Sequence, residues 1–244
     1  MSTAKSTAKS TAKSTPGSAG TSAPKTTSGA PSKSSPKRGA KGSYHHGNLS
    51  EALLAAGLEL AREGGPDAVV LREASRRAGV SHNAVYRHFA DRDALLRAVC
   101  LECMRALARL MEERIAEVDR AGAALAVARG RLAATGSAYL EFALAEPGWF
   151  RTAFAVPPKL GYFEEGDMGG EQGLGPLGLL GAQLDALAAA GGLARERRPN
   201  AELAAWAAVH GLAMLLLDGP LRALSVPERE IAQARLLAMI ERGL

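Results

Sequence analysis

From Leu49 onward, apolar side chains recur at spacings of three and four residues, and no alternating apolar–polar run is longer than a few residues. That period belongs to an α-helix buried along one face. It predicts an all-α fold. The breaks in the pattern set the boundaries. A first helix should run from about Leu49 to Glu63, burying Leu49, Leu53, Ala56 and Leu60, and Gly64-Gly65-Pro66 gives it an αL stop followed by a residue that cannot continue it. A second covers about Leu71 to Ala78 and ends at Gly79. A short third, Ser81 to Phe89, takes Ser81 as its N-cap, and Asp91 caps a long fourth that reaches about Val118. Further helices are expected over about Ala123 to Ala145, just after Pro147, and over Leu177 to Ala190, Ala201 to Leu217 and Pro227 to Arg242. The total is nine. Between Val156 and Pro176 lies a Gly- and Pro-rich loop, long for a compact domain, whose Phe163 and Met168 are placed to close over a cavity.

The first 43 residues follow no such pattern. They repeat Ser-Thr-Ala-Lys and then continue in Ser, Thr, Pro, Gly and Lys, with seven Lys, one Arg and no acidic residue. A segment of this kind has nothing with which to bury a core and is expected to be disordered. It also carries the whole positive balance of the chain: residues 44–244 hold 22 basic against 25 acidic residues, so the pI of 9.4 says nothing about them. We therefore divide the chain into a basic tail (1–43), a small helical head (44–98) and a larger helical part (99–244). No apolar stretch follows the basic start as in a secretory signal, and none later reaches the length of a membrane span. A cytoplasmic, nucleoid-associated protein without a membrane partner is expected.

The most informative stretch is Leu71 to Phe89. A small residue, Ala74, Gly79 at the turn, and Val80 and Val85 as interface plugs give it the layout of a helix-turn-helix. In that layout the start of the second helix enters the major groove, bringing His82 and Asn83 to base edges while Ser81, Tyr86 and Arg87 reach phosphates or bases. Tyr86, His88 and Phe89 have a packing role open to them as well, which is favoured for His88 and Phe89.

The blocks Tyr44-His-His-Gly-Asn-Leu49, Ala78-Gly-Val-Ser81, Ala84-Val-Tyr-Arg-His-Phe89 and Asp91-Arg-Asp-Ala-Leu-Leu96 resemble the N-terminal domain of the TetR family, in order and spacing. The resemblance implies that Arg72, His82, Asn83 and Tyr86 contact an operator, that Tyr44 lies beside the DNA, and that Arg92 stands for the family's phosphate-binding Lys. Three departures stand out. Val70 occupies the place of a helix-capping Thr, Ala74-Ser75 replace Ile-Ala, and Ala84 lacks a frequent hydroxyl. A missing cap costs about 1 kcal/mol, so the second helix is expected to fray. The tail enters just before Tyr44, where it would either lie along phosphates or act only as a solvated tail.

In the larger part, most of the eleven Phe, Trp and Tyr residues gather. Tyr139, Phe142, Trp149, Phe150 and Phe154 come from two helices, and Trp206, His210 and Met214 follow one another along another. Such a cluster fits a ligand cavity walled by rigid rings, and it equally fits an ordinary core. His210 is the least bland member, because an imidazole on an apolar helix needs a hydrogen-bond partner from the protein or a ligand. Trp206-Ala-Ala-Val-His-Gly211, with Ala138-Tyr-Leu-Glu-Phe-Ala143 and Glu146-Pro-Gly-Trp-Phe-Arg151, resembles the WHG-type C-terminal domain carried by some TetR regulators.

That second resemblance implies a homodimer through the last two helices, whose apolar residues include Leu203, Val209 and Leu216 on one and Ile231, Leu236, Leu237 and Ile240 on the other. Two heads one helical turn apart, about 34 Å, would read a near-palindromic double-stranded operator. The expected function is a transcriptional regulator, a repressor released by a small-molecule effector. An architectural nucleoid-type protein acting through its basic tail is the alternative. No phosphate loop, nucleophile elbow or metal-ligand cluster marks an enzyme, and neither a metal nor a cofactor is expected. Cys100 and Cys103, at i and i+3 without a second pair, and the adjacent His45-His46 fit no metal site. The cysteines read as two reduced thiols, with a redox role as a lesser reading.

Overall fold

The computed structural model describes residues 46–155 and 169–243, which fall within one compact unit. The basic tail, Tyr44, Phe163 and Met168 lie outside the described residues. Nine α-helices and three short 3₁₀ turns make up the described secondary structure, with no strand among these residues. The helices are α1 (His46–Gly64), α2 (Leu71–Arg77), α3 (His82–Val85), α4 (Arg92–Glu117), α5 (Ala124–Ala145), α6 (Pro147–Ala153), α7 (Pro176–Ala189), α8 (Ala201–Leu217) and α9 (Val226–Gly243).

The helix ends follow from local chemistry. Asp91 caps α4 by accepting the Ala94 N–H at 2.7 Å. At the end of α2, Gly79 takes φ 67°, the Val80 N–H returns to Ser75 O and the Gly79 N–H to Arg76 O, a Schellman closure. The same pair of bonds closes α7 through Gly191 and Gly192. Gly65 also has positive φ, but its ψ of −161° puts it in the mirror-β region rather than the αL stop expected after α1. Ser81 stands extended at the N-cap of α3 without a side-chain cap bond, contrary to expectation, and Val70 is likewise a bare N-cap for α2.

The third helix is shorter than its sequence pattern implied. Beyond Val85 the backbone tightens, with Arg87 N–H bonded to Ala84 O and His88 N–H to Val85 O, both i→i+3 bonds. Phe89 is drawn into the core, only 8% exposed, and Asp91 starts the next helix two residues later. That leaves no room for another α-helical turn.

Two buried apolar clusters hold the unit together. One joins Leu53, Ala56, Leu60 and Ala61 of α1, Leu71 and Ala74 of α2, Val85, Phe89, and the first half of α4 from Leu95 to Cys103. The other begins at Leu107 of α4 and takes in α5, α7, α8 and Ile240 of α9. With 26 residues, α4 is about 39 Å long and serves both. α6 also serves both: Ala153 belongs to the first cluster, Phe150 to the second, and Trp149 and Phe154 touch each. Gly148 sets this docking, because a Cβ there would run into the carbonyl oxygens of Ala61 and Arg62. Trp149 then donates Nε1–H to Leu58 O at 2.8 Å, and Arg62 lies over its ring at 4.1 Å.

Candidate DNA-reading head and effector cavity

The α2–turn–α3 unit is pinned from beneath by Ala74 and Val85, both fully buried, which leaves its outer side to polar residues. Arg72, Ser81, Asn83, Tyr86 and Arg87 are exposed there, and Tyr86 keeps 51% of its surface. His82 opens α3 by its backbone. The cations of this region divide into two sets. Arg76 and Arg77 are tied to carboxylates: both Arg76 and Arg77 donate to Glu73, holding its pKa down to about 2, and Arg77 also forks onto Glu63 at 2.8 and 2.6 Å. Arg72 O accepts from the Ser75 hydroxyl, but the guanidinium groups of Arg72 and Arg87 make no hydrogen bond or ion pair among the described residues, so their donors are available to phosphate oxygens.

Arg92 differs from the expectation drawn for it. Its guanidinium reaches back to Val69 O at 2.9 Å and Pro66 O at 2.7 Å, tying the head of α4 to the turn that precedes α2. The fork of an arginine makes this possible where a lysine would offer a point charge. Sequence reasoning missed this role, which depends on carbonyls more than twenty residues away.

The second site is a cavity of about 500 Å³ between α4, α5, α7, α8 and α9, with the end of α6 at one side. Of the eight residues expected to line it, Tyr139, Phe154, Trp206 and His210 do. The other four are elsewhere. Phe142 and Phe150 are buried behind the wall, Trp149 faces α1, and Met214 sits one turn past His210 on the outer side of α8, 38% exposed. Sequence reasoning missed Met104, Met111, Leu132, Leu180 and Leu237, which complete the apolar lining. Their helical spacing marked them as core, and nothing in a one-dimensional pattern separates a packed leucine from one beside a void.

Three polar groups of the wall form one chain. Trp206 donates Nε1–H to the Tyr139 hydroxyl at 3.1 Å, and that hydroxyl lies 2.7 Å from Nδ1 of His210. The partner that His210 needed is therefore a protein group. Around it stand Phe154 and Phe150, with ring centroids 5.0 and 5.6 Å from the imidazole. Burial lowers the imidazole pKa and raises that of the Tyr139 phenol, so both are neutral near pH 7. Near the outer end Arg129 and Glu241 neutralise each other at 3.0 Å. Cys100 and Cys103 are fully buried and outside the cavity. Burial pushes the Cys103 thiol far above its ordinary range, which disfavours the thiolate that redox sensing needs.

The outer faces of α8 and α9 are unusually apolar. Ala205, Val209, Leu212 and Leu216 of α8 are buried, while Leu203, Ala207, Met214 and Leu215 on the opposite side are exposed. On α9, Ile231 and Met239 are exposed, and Ile240 is buried. Val209, Leu216 and Ile240, expected to face a partner, thus pack inside their own subunit.

A buried helix-turn-helix scaffold with exposed donors, joined to an all-helical domain, is the architecture of a DNA-binding transcriptional regulator. The family comparison is specific. Residues 53–99 match the model of bacterial regulatory proteins of the tetR family, and residues 132–240 match that of the tetracyclin repressor-like C-terminal domain. The chain belongs to the TetR family of transcriptional regulators. Among solved structures it is similar to a protein of unknown function from Rhodococcus sp. RHA1, at 30% identity and TM-score 0.66, covering 84% of this chain and 99% of that one. The fold is shared with a regulatory protein in the tetR family from Rhodococcus RHA1 (21% identity, TM-score 0.52, covering 80% and 95%). It is shared too with a tetR-family transcriptional regulator from Streptomyces coelicolor (19% identity, TM-score 0.52, covering 80% and 80%). No curated protein matches the chain. No helix among the described residues is long and apolar enough to cross a membrane.

Proposed function

We propose that the protein is a dimeric repressor that holds a near-palindromic operator and releases it when a small molecule enters the cavity. In this reading residues 44–98 form the DNA-reading head and residues 99–244 the effector-binding and dimerising part. Arg72 and Arg87 bind phosphates, Ser81, Asn83 and Tyr86 stand at the groove with His82, and Arg92 orients the head from within. Tyr139, Phe154, Trp206 and His210 hold the effector. Paired copies of α8 and α9 set the heads about 34 Å apart, one turn of DNA.

The observation that carries the proposal is the position of α6. One end of this helix abuts the α1 carbonyls through Gly148 and Trp149, and its other end contributes Ala153 and leads into Phe154, both at the cavity. A ligand that displaces Phe154 acts directly on the element against which the head rests. Release then follows from the difference in ligand affinity between the two arrangements of the heads.

The test is fluorescence anisotropy with a palindromic duplex from the adjoining promoter and a scrambled duplex of the same length. Asn83→Ala should cost about 1–3 kcal/mol on the palindrome and relax its sequence preference. Arg72→Ala should weaken both duplexes alike. Equal affinity of the wild type for both duplexes, lost on deleting residues 2–41, would overturn the proposal.

A further inference from the structure

The polar inventory of the cavity wall is short enough to state what a ligand must bring. Trp206 has a single donor, and it is used on Tyr139. The Tyr139 hydroxyl proton has one acceptor within reach among the described residues, Nδ1 of His210. If Nδ1 carried the imidazole proton, the buried phenolic hydrogen would lack an acceptor, a cost of about 1–3 kcal/mol. The bonding is complete only in the tautomer with the proton on Nε2. Thr135 is occupied as well, since its hydroxyl donates to Arg131 O at 2.8 Å, and Arg129 and Glu241 cancel one another.

One donor is left. Nε2 of His210 makes no hydrogen bond among the described residues, and it is absent from the polar atoms sealed off from water. The remaining wall is aliphatic or aromatic, from Met104 and Met111 to Leu132, Leu180, Val209 and Leu237. A volume of about 500 Å³ admits a drug-sized molecule. Resting on the reading of this cavity as the effector site, we propose that its ligand is a neutral, largely apolar, ring-bearing molecule that presents a single hydrogen-bond acceptor, a carbonyl or ether oxygen, to Nε2–H of His210. A carboxylate would find the wall's cation, Arg129, already neutralised by Glu241. An ammonium would find the wall's carboxylate, Glu241, already neutralised by Arg129 at the outer end, and no carboxylate beside His210.

The full-length protein can be tested with three probes of one shape: the neutral dye prodan, a dimethylaminonaphthalene carrying one ketone; its analogue with the ketone reduced to methylene; and the analogue with a carboxylate in the ketone's place. Binding is read by fluorescence titration and thermal shift. The ketone should bind about three- to tenfold more tightly than the methylene analogue, the size of one net hydrogen bond, and the carboxylate most weakly. Its emission should report a hydrogen-bonded carbonyl. His210→Phe should abolish the preference for the ketone while retaining binding, and His210→Gln, which keeps a donor, should restore it. The Tyr139→Phe/His210→Phe double variant repeats the comparison without an orphaned phenol, should the single variant fold poorly. Tightest binding by the carboxylate, or a ketone preference that survives both Phe variants, overturns the assignment while leaving the cavity an effector site. Failure of all three probes to bind the folded wild type saturably overturns the effector-site reading and, with it, this one.

Discussion

His210 packs against Phe150, Phe154 and Trp206 and bonds to Tyr139 of α5, and the only charged groups in the same cavity wall among the described residues, Arg129 and Glu241, are ion-paired. Burial lowers its pKa from the ordinary 6.5, so in acid the unfolded chain takes up a proton that the fold resists. The stability due to the neutral ring is complete above pH 6.5 and is lost as pH falls through the lower folded value. Glu141 and Asp218, whose ordinary pKa values are 4.5 and 3.8 and whose arginine bonds hold them lower, lose their contribution only in stronger acid. Melting temperature measured from pH 8 to 5 should therefore fall in the wild type and fall less in His210→Phe. An identical slope in the two proteins would contradict the placement of the ring. At this scale the sequence posed the right question about His210 and chose wrongly at Met214, since a neighbour one turn away drifts by about 40° around a helix.

Most helix ends were legible, because Gly, Pro and Asp punctuate the pattern with chemistry that acts locally. α8 was predicted at its observed bounds, and Asp91 caps α4 as expected. α3 was not legible, since its truncation depends on Phe89 anchoring in a core built from α1 and α4. The bare N-cap of α2 gives a direct prediction: Val70→Thr should raise stability by about 0.5–1 kcal/mol in denaturant unfolding, because Val70 is exposed, extended and makes no cap bond. Gly148→Ala should do the opposite. Its methyl group would meet two backbone carbonyls that cannot rotate away, and overpacking of that kind costs about 1–3 kcal/mol. Glu112 works at the same level. Its buried carboxylate accepts the Glu171 and Gln172 N–H groups at 2.8 and 2.9 Å, fastening the segment that leads into α7 and the cavity wall. Glu112→Ala should speed amide hydrogen exchange at those two residues and leave α2 and α3 unchanged.

For the molecule as a whole, the decisive feature is that α8 is apolar all round. Its inner face fills the subunit core, so the exposed Leu203, Met214 and Leu215, with Ile231 and Met239 of α9, need another surface to cover them. In sequence the two faces were indistinguishable, which is why Val209, Leu216 and Ile240 were assigned to the wrong one. In the proposed dimer, a second copy of the same pair of helices would meet the need with isologous contacts and supply the second head that a palindrome requires. Leu215→Arg combined with Met239→Arg puts like charges across that surface without touching the core, since the two residues are 43% and 53% exposed. The variant should keep its helical circular dichroism and sediment as a monomer. It should also bind the palindromic duplex about a hundredfold or more weakly, because the second head no longer arrives at the effective concentration that tethering provides. A dimer of unaltered affinity would place the pairing surface elsewhere and leave this apolar face to some other partner.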